Sequence, residues 1–389
     1  LSGDADFFIK GVPIVDNYDK VPSSKATPSD RSTACFRGNK KGAGVVPPPD
    51  QDRNITTTRD TEEDLMLRKT LVMLTAVLIV ALPAYADVFK MDLHASYGAT
   101  SFHTQGAMEF AELVKKYSDG TVEITVHAGG SLGFKGPELL KVVKDAQVPM
   151  SDILMGVVAG SEHSFGISSL PRLVPDFSKA RSLYDDSRAL YEKGAEKWGQ
   201  KFLYAAPWPP SGLVTKNPVN GKADLSNLKT RTYDKNGAEF LRILGASPVS
   251  LPWGEVYSSL RTGMIDSVLT SAESTKNGKF WEVLGAFKPI NYAFPLNMVT
   301  INNDYWKSLN KSQQDAVLKA AAEVEASQWA ASEQRHVDSI KVIEENGIAV
   351  SDVSAELSAD LDKAAATLID EFRGSSSDEV KALLDKYTK

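Results

Sequence analysis

Residues 227–266, NLKTRTYDKNGAEFLRILGASPVSLPWGEVYSSLRTGMID, show the pattern from which the fold class is predicted. Residues 228–233 alternate in polarity as a half-buried strand does, and Arg231 falls near the C-terminal end of that strand. The next residues, 236–244, carry apolar side chains at helical spacing and stop before Gly245, a residue type that often follows a helix. The first half of the stretch is therefore a strand followed by a helix.

The second half repeats this order. Residues 248–251 are predicted as a strand, and residues 253–260 as a helix that ends at Gly263. In open α/β sheets, ligands bind outside the carboxyl ends of the strands. A guanidinium at such an end is a bidentate receptor for a carboxylate, whereas most arginines form surface ion pairs. From position and chemistry, Arg231 is the first candidate for binding an acid.

The rest of the chain continues the alternation of strands and helices. Further strands are predicted at 88–94, 122–127, 153–158, 202–206, 213–215, 267–271, 288–293 and 295–302. Further helices are predicted at 102–117, 138–146, 179–198, 273–281, 357–372 and 378–387. This order predicts an α/β protein in which a largely parallel sheet is covered on both faces.

Residues 310–346 are predicted to form one long helix. Asn310 is a suitable N-cap with Gln313 at the capping-box position, Gly347 follows the end, and neither Gly nor Pro interrupts the segment. At 1.5 Å per residue it would extend roughly 50 Å, more than the diameter of one lobe. We expect it to lie across two lobes; the alternative is two helices with an unmarked break.

The N-terminal 86 residues differ from the remainder. Residues 1–65 are polar and irregular, and they are interpreted as an upstream non-native or disordered segment. Residues 66–86 combine a basic start, a short apolar run and the A-x-A sequence Ala84-Tyr85-Ala86, which predicts a signal peptide and a mature chain from Asp87. The apolar run is shorter than the ~20 residues of a spanning helix, so no stable membrane insertion is expected.

The predicted domain division follows from these segments. Lobe I is assigned to 87–212 with parts of 303–389, lobe II to 213–300, and the C-terminal helices to 347–389. The part after residue 86 contains no cysteine, because Cys35 lies upstream, so its stability must come from its core.

The net charge of the chain argues against nucleic acid as a partner. The chain has a formal net charge of −6, and residues 1–86 contribute none of it, because they hold 11 basic and 11 acidic side chains. An acidic protein is unsuited to nucleic acid, and an anionic ligand would need a local positive group.

The part after residue 86 resembles the solute-binding subunits of TRAP (tripartite ATP-independent periplasmic) transporters, the dicarboxylate-binding-protein family. The resemblance is carried by four ordered blocks and one loop: LKTR at 228–231, LGASPV at 244–249, PWGEVY at 252–257, TGMID at 262–266, and the loop GSLG at 130–133. It implies a two-lobed periplasmic-binding-protein fold that closes around an organic acid, with Arg231 pairing with the ligand carboxylate.

Two departures from the family pattern bear on the ligand. Many members have an Asn where this chain has Thr270, and the sialic-acid-binding members have a second arginine at the position that matches Ser211. Both changes make the site less polar, and Trp208 adds an aromatic wall. The resemblance therefore implies a small monocarboxylate with a ring or an apolar body rather than a sialic acid.

The candidate ligand-binding residues share a place at strand ends or early in helices. They are Arg231, Trp208, Trp253, Thr270, Tyr233, Tyr97, Asn297, Glu255 and Phe165. Aromatic residues are usually core residues, and Glu255 has two possible roles, lining the cleft or orienting Arg231.

An enzyme is the other class of function to weigh. Residues 129–133 formally match G-x-S-x-G, which makes Ser131 the nucleophile of a secreted serine hydrolase, with His163 or His336 as its base. Neither histidine is well placed in the predicted elements, so no enzyme activity is predicted. No metal site or cofactor is predicted either, because the chain has no H-x-x-x-H and no Gly-rich phosphate loop.

The sequence thus predicts a monomeric periplasmic binding protein that delivers a small organic carboxylate to the small and large membrane permease subunits of a TRAP transporter. Two alternatives stay open at this point: a binding protein of another transporter class, and the ligand-sensing partner of a receptor.

Overall fold

The computed structural model describes residues 66–68 and 88–388. Its strands are β1 (Phe89–Ala95), β2 (Val122–His127), β3 (Met150–Leu154), β4 (Gln200–Pro207), β5 (Ser211–Thr215), β6 (Lys229–Thr232), β7 (Ser247–Ser250), β8 (Ser267–Ser271), β9 (Ala286–Lys288), β10 (Leu296–Asn302) and β11 (Ala349–Val350). Its α-helices are α1 (Phe102–Tyr117), α2 (Leu139–Lys144), α3 (Phe177–Lys197), α4 (Lys235–Ile243), α5 (Val256–Thr262), α6 (Ala272–Asn277), α7 (Asn303–Ser308), α8 (Lys311–Glu345), α9 (Ala355–Gly374) and α10 (Asp378–Tyr387).

The strands form two sheets, each of which is the centre of one lobe. Lobe I contains the five-stranded sheet in the order β2-β1-β3-β10-β4, and lobe II the six-stranded sheet β11-β9-β5-β8-β6-β7. Both sheets are mixed, because β10 is antiparallel to β3 and β4, and β5 is antiparallel to β8 and β9. The expectation of a largely parallel sheet was therefore too simple, since β5 and β10, the strands that follow each crossing between the lobes, run in the opposite direction.

The stretch at 227–266 folds as its pattern predicts. It forms β6, α4, β7 and α5, with a 3₁₀ turn (Trp253–Glu255) before α5. Gly263 ends α5 with φ 71°, and Gly245 has φ 90°, the left-handed conformation that glycine adopts without steric cost. β6 lies between β7 and β8, parallel to both. This places Arg231 in the interior of the lobe II sheet.

Two predicted strands are shorter than expected. Residues 153–158 were predicted as one strand, but β3 ends at Leu154 and Met155–Val158 is a 3₁₀ helix, because an unbroken apolar run does not distinguish the two conformations. Residues 288–293 were also predicted as a strand, but β9 ends at Lys288. Pro289 lacks a backbone donor, and Asn291 has a left-handed φ of 46°.

The long helix is confirmed as one element that contacts both lobes. Asn310 caps α8 through a capping box with Gln313, as predicted. In lobe I, Trp329 Nε1 donates to the carbonyl of Ala205 at 3.0 Å, and towards the other end Ile343 is buried in the core of lobe II. The break proposed as an alternative is absent from this segment, which lies wholly within the described residues.

The boundary between the lobes differs from the predicted one. Residues 296–300 were assigned to lobe II, but all of β10 pairs within the lobe I sheet. Ser211 and Gly212, assigned to lobe I, begin β5 in the other sheet. The chain therefore crosses at residues 208–210 and again at 289–295, and β10 is not itself a crossing strand.

Some predictions concern residues outside the described range. They are the upstream segment 1–65, most of the signal peptide and the cleavage before Asp87. Among the described residues, no helix combines the length and apolar character needed to cross a membrane.

Candidate ligand-binding site

Arg231 is a buried cation with part of its guanidinium unused. Its side chain is 4 % exposed, and Nε donates to the carbonyl of Leu251 at 3.0 Å. Neither terminal nitrogen, Nη1 or Nη2, makes a hydrogen bond to another described residue. This contact holds the plane of the guanidinium and leaves both terminal nitrogens, each with two N–H groups, for a ligand.

The electrostatics around Arg231 also favour an anion. Burial lowers the pKa of Arg231 to about 10, while Tyr97, Tyr233 and Asp234 oppose that shift. No ion pair joins Arg231 to a carboxylate of the described chain within 4.0 Å. A buried positive charge without a directly bonded counter-ion is stabilised by a carboxylate that docks on it.

Arg231 faces a cavity between the lobes. The cavity has a volume of ≈ 360 Å³, which includes space open to solvent, and is lined by Tyr97, Leu154, Trp208, Ser211, Arg231, Tyr233, Trp253, Thr270, Ser271, Ser274 and Pro295. A second open cavity, of ≈ 620 Å³, adjoins it and shares five of these residues: Tyr97, Leu154, Arg231, Tyr233 and Trp253.

Aromatic rings form one wall of the cavity. The centroid of the Tyr97 ring lies 5.0 Å from that of Trp208 and 6.3 Å from that of Trp253, in edge-to-face contacts. Because Tyr97 and Trp208 belong to lobe I and Trp253 to lobe II, the wall is complete only when the lobes are together. Such a surface fits a flat or apolar ligand body.

A buried hydrogen-bond relay holds Trp208. Trp208 Nε1 donates to Asn297 Oδ1 at 2.7 Å, and Asn297 Nδ2 donates to Asp152 Oδ1 at 2.8 Å. Burial raises the pKa of Asp152 to about 7. On its other side Trp208 packs on His103, with ring centroids 4.0 Å apart, and burial lowers the pKa of His103 to about 3, so that this imidazole is neutral.

Hydroxyl groups from lobe II face the aromatic wall. Ser211 Oγ lies 3.3 Å from the hydroxyl of Tyr233. Thr270 of β8 also lines the cavity. Ser271 Oγ accepts from the amide of Ser274 at 3.1 Å. Each hydroxyl can both donate and accept, so this side of the cavity can pair with neutral polar groups of a ligand.

Six of the nine candidate residues line the main cavity: Arg231, Trp208, Trp253, Thr270, Tyr233 and Tyr97. Asn297 stands behind Trp208 as part of the relay. Glu255 does not line the cavity or orient Arg231; it accepts a hydrogen bond from Lys135 Nζ of lobe I at 2.7 Å, because its helix start faces the other lobe.

Phe165 was predicted to bind the ligand, but the structure places it away from the cavity. It is fully buried in the core of lobe I, beside Tyr191 and against Gly194, and it lines neither of the two cavities. Phe165 was predicted to lie at a strand end or early in a helix, but residues 163–169 form a 3₁₀ helix that turns its ring inward.

Five further residues line the cavity but were not predicted from the sequence to bind the ligand: Leu154, Ser211, Ser271, Ser274 and Pro295. Ser271 is the last residue of β8 and Ser274 lies in the first turn of α6, so the strand-end rule that selected Thr270 would also have pointed to this segment. Leu154 and Pro295 carry no such signal, because an apolar residue at a strand end is ordinary core.

The geometry offers no support for the hydrolase alternative. Ser131 is exposed, and no hydrogen bond joins it to a histidine among the described residues. His163 instead bonds to Ser376 Oγ at 2.9 Å and stacks on Phe372. Within the described chain no group of three or more His, Cys, Asp or Glu residues is arranged to bind a metal.

Comparison with known proteins identifies the family. Residues 94–375 match the model of "Bacterial extracellular solute-binding protein, family 7". The chain belongs to this family. A solute-binding protein of Albidiferax ferrireducens is 26% identical to this chain over 263 residues, which cover 65% of this chain and 76% of the relative.

Two solved structures extend the match to the whole fold. DctP7 of Bordetella pertussis, a receptor binding pyroglutamic acid, is 27% identical with a TM-score of 0.76, covering 78% of this chain and 100% of that chain. A TRAP solute-binding protein from a marine metagenome, specific for pyroglutamate, is 30% identical with a TM-score of 0.75, covering 77% of this chain and 99% of that chain. The family 7 chain is thus a TRAP solute-binding protein, and the predicted resemblance and two-lobed fold are confirmed.

Proposed function

We propose that this chain binds a small cyclic monocarboxylate of the pyroglutamate class in the cavity between its lobes. The observation that carries the proposal is the buried Arg231 guanidinium, with both terminal nitrogens unused, beside an aromatic wall and the hydroxyls of lobe II. Pyroglutamate carries one carboxylate, one ring and one amide. The similar proteins that bind it, 27% and 30% identical, support this choice.

The proposed orientation matches each ligand group to a surface. The carboxylate accepts two hydrogen bonds from Nη1 and Nη2 of Arg231. The ring lies against Tyr97 and Trp208, and the amide meets the hydroxyls of Ser211 and Tyr233, which can accept from its N–H and donate to its C=O. Among the described residues that line the main cavity, Arg231 is the only basic side chain, which disfavours a dicarboxylate.

The wider role follows from the family. We propose that the chain is a monomeric, non-enzymatic periplasmic protein, exported through residues 66–86 and matured at Asp87. It delivers its ligand to the small and large membrane permease subunits of a TRAP transporter.

Isothermal calorimetry of the purified full chain tests the ligand and the role of Arg231. Pyroglutamate should bind, and Arg231→Ala should weaken it at least about thirtyfold, because truncating one partner of a buried charge pair costs about 2–5 kcal/mol. Arg242→Ala is the matched control, since Arg242 is exposed and pairs with Glu239. Affinity retained within about threefold in Arg231→Ala would refute the assignment, and binding of none of a panel of cyclic monocarboxylates would refute the ligand class.

A further inference from the structure

Asp234 lies three residues after Arg231 and connects the ligand-binding strand to the opposite lobe. It is 4 % exposed, and its Oδ1 caps α4 by accepting from the amide of Gly237 at 2.8 Å. Its other oxygen, Oδ2, has no hydrogen-bond partner among the described residues. A buried carboxylate oxygen without a donor is costly when the group is ionised.

The surroundings of Oδ2 belong to lobe I. A Cβ built on Gly156 would lie only 2.5 Å from Asp234 Oδ2 and 2.9 Å from Ser169 Oγ, so these groups meet at that glycine. Next to it, Asn236 Nδ2 donates to the carbonyl of Gly166 at 3.0 Å. Asp234 and Asn236 therefore form an inter-lobe contact with the two 3₁₀ segments Met155–Val158 and His163–Ser169.

Burial favours a neutral Asp234 and is the largest effect on its pKa, while a hydrogen bond from Ser169 would act in the opposite direction. Ser169 Oγ donates to the carbonyl of Gly166 at 3.2 Å and accepts from Asn236 Nδ2 at 3.5 Å. A protonated Oδ2 could donate to this hydroxyl, whereas an ionised Oδ2 would face oxygen lone pairs. Rotating the Ser169 proton towards Asp234 would break its bond to Gly166.

The charged neighbours of Asp234 are few. Arg231 acts on it from the same segment, and the hydroxyls of Tyr233 and Tyr292 are electrostatically coupled to it. Lys235 on α4 is exposed, and β7, β8 and Met155–Val158 contain no titratable side chain. The segment His163–Ser169 contains only His163, which bonds to Ser376.

We propose that Asp234 is a positioning residue that joins the ligand-binding strand to lobe I in the closed protein, and that it takes up a proton when the lobes close. The inference rests on the proposed function, because capture of the ligand is what closes the lobes. When the lobes separate, Oδ2 meets water and the carboxyl group ionises at neutral pH.

The direction in which closure depends on pH follows from the number of protons that the closed and open forms bind. In the closed structure burial raises the pKa of Asp234 to about 6, above the ~3.9 of a solvated aspartate. The closed form therefore binds more protons than the open form around and below pH 6. Closure and ligand affinity should strengthen as pH falls towards 5 and should level off above about pH 7.

Calorimetry with pyroglutamate between pH 5.5 and pH 8 tests this, in buffers that differ in ionisation enthalpy so that proton uptake is counted. The unmodified chain should bind about fourfold more tightly at pH 5.5 than at pH 8. Asp234→Asn keeps the N-cap acceptor and replaces the acid O–H by an amide donor. Its affinity should be independent of pH, and at pH 8 it should be higher than that of the unmodified chain, which a purely structural role would not produce.

Asp152→Asn is the comparison variant, because Asp152 is the other buried acid near the cavity with an unpaired oxygen. The proposal is overturned if Asp234→Asn retains the pH profile, if it binds more weakly at every pH, or if Asp152→Asn alone abolishes the profile.

If pyroglutamate and the other carboxylates do not bind at any pH, the proposed function fails, and the ligand-free chain decides on Asp234 through the fraction of molecules with closed lobes. Because closure takes up a proton, small-angle X-ray scattering should show the unmodified chain becoming more compact as pH falls from 7 to 5, and Asp234→Asn should show no such change. The same pH response in both chains, or none in the unmodified chain, would overturn the proposal.

Discussion

At the scale of single residues, the site depends on polar atoms buried with few partners. Arg231 has one hydrogen bond to the backbone, and Asp234 and Asp152 each have one carboxylate oxygen without a partner among the described residues. Groups that remain incompletely paired inside a folded protein cost stability, and they concentrate at functional sites. The incompletely paired guanidinium of Arg231 is what an anion-binding cleft needs before its ligand binds.

Trp208→Phe tests the relay behind the aromatic wall. The substitution keeps an aromatic ring but removes the donor to Asn297 Oδ1, which leaves a buried acceptor unsatisfied. We expect a loss of about 1–3 kcal/mol in the free energy of unfolding, measured by urea denaturation, and weaker pyroglutamate binding.

Trp198→Phe is the control for this prediction, because Trp198 is half-buried and lines neither cavity. Equal stability of the two variants would show that the hydrogen bond to Asn297 contributes nothing.

At the scale of elements, α8 is fixed to each lobe by a buried glutamate. Glu325 on α8 accepts from Arg188, from the hydroxyl of Tyr184 and from the amide of Ala205, all in lobe I. In lobe II the fully buried Glu273 of α6 accepts from Ser339 of α8. Between these two points Ser332 Oγ donates to the carbonyl of Pro207, where the chain begins to cross between lobes. The helix is thus held on both sides of the crossing.

Glu325→Ala should destabilise the protein much more than Glu323→Ala. Removing the buried carboxylate leaves Arg188, Tyr184 and a backbone amide without their acceptor, which we expect to cost about 2–4 kcal/mol in urea unfolding. Glu323 lies on the same helix but is exposed, and it accepts only from Tyr117. A similar cost for both variants would contradict the role of Glu325 as an anchor.

The elements themselves could largely be predicted from local pattern. The bounds of α1, β2, β8 and α10 agree with prediction, because alternation, helical spacing and turn residues mark each end. The apolar run at 153–158 was wrongly extended as a strand, since its sequence does not show that Gly156 turns to meet the other lobe. The two-residue strand β11 was missed because it is too short to show periodicity.

At the scale of the whole molecule, contacts between the lobes complete the site. The exposed ion pair Lys135–Glu255 and the buried contact of Asp234 and Asn236 both connect lobe II to lobe I. Helix α9 contributes to both cores, with Leu357 and Leu361 in lobe II and Phe372 in lobe I. The buried contacts contribute more than the ion pair, which solvent screens.

Gly156→Ala should weaken ligand binding while leaving each lobe folded. The new methyl group would lie 2.5 Å from Asp234 Oδ2, so the lobes could not approach as closely. We expect roughly a five- to hundredfold loss of pyroglutamate affinity by calorimetry, because overpacking of this kind costs about 1–3 kcal/mol.

Gly160→Ala is the matched control for Gly156→Ala, since a Cβ at Gly160 meets no atom within 4 Å. If the two variants bind equally well, Gly156 has no part in closure. Circular dichroism of both variants checks that the lobes remain folded.

The sequence by itself determined the elements of this protein, the family and the position of Arg231 at a strand end, because these depend on local spacing, turn residues and short motifs. Only the tertiary structure decided which side chains share the cavity, since Tyr97, Trp208 and Arg231 come from different lobes. It also moved Phe165 into the core, paired Glu255 with Lys135 and left Asp234 Oδ2 without a hydrogen-bond partner in the part of the chain that the structure describes. These outcomes depend on the packing of distant segments, which no local pattern encodes.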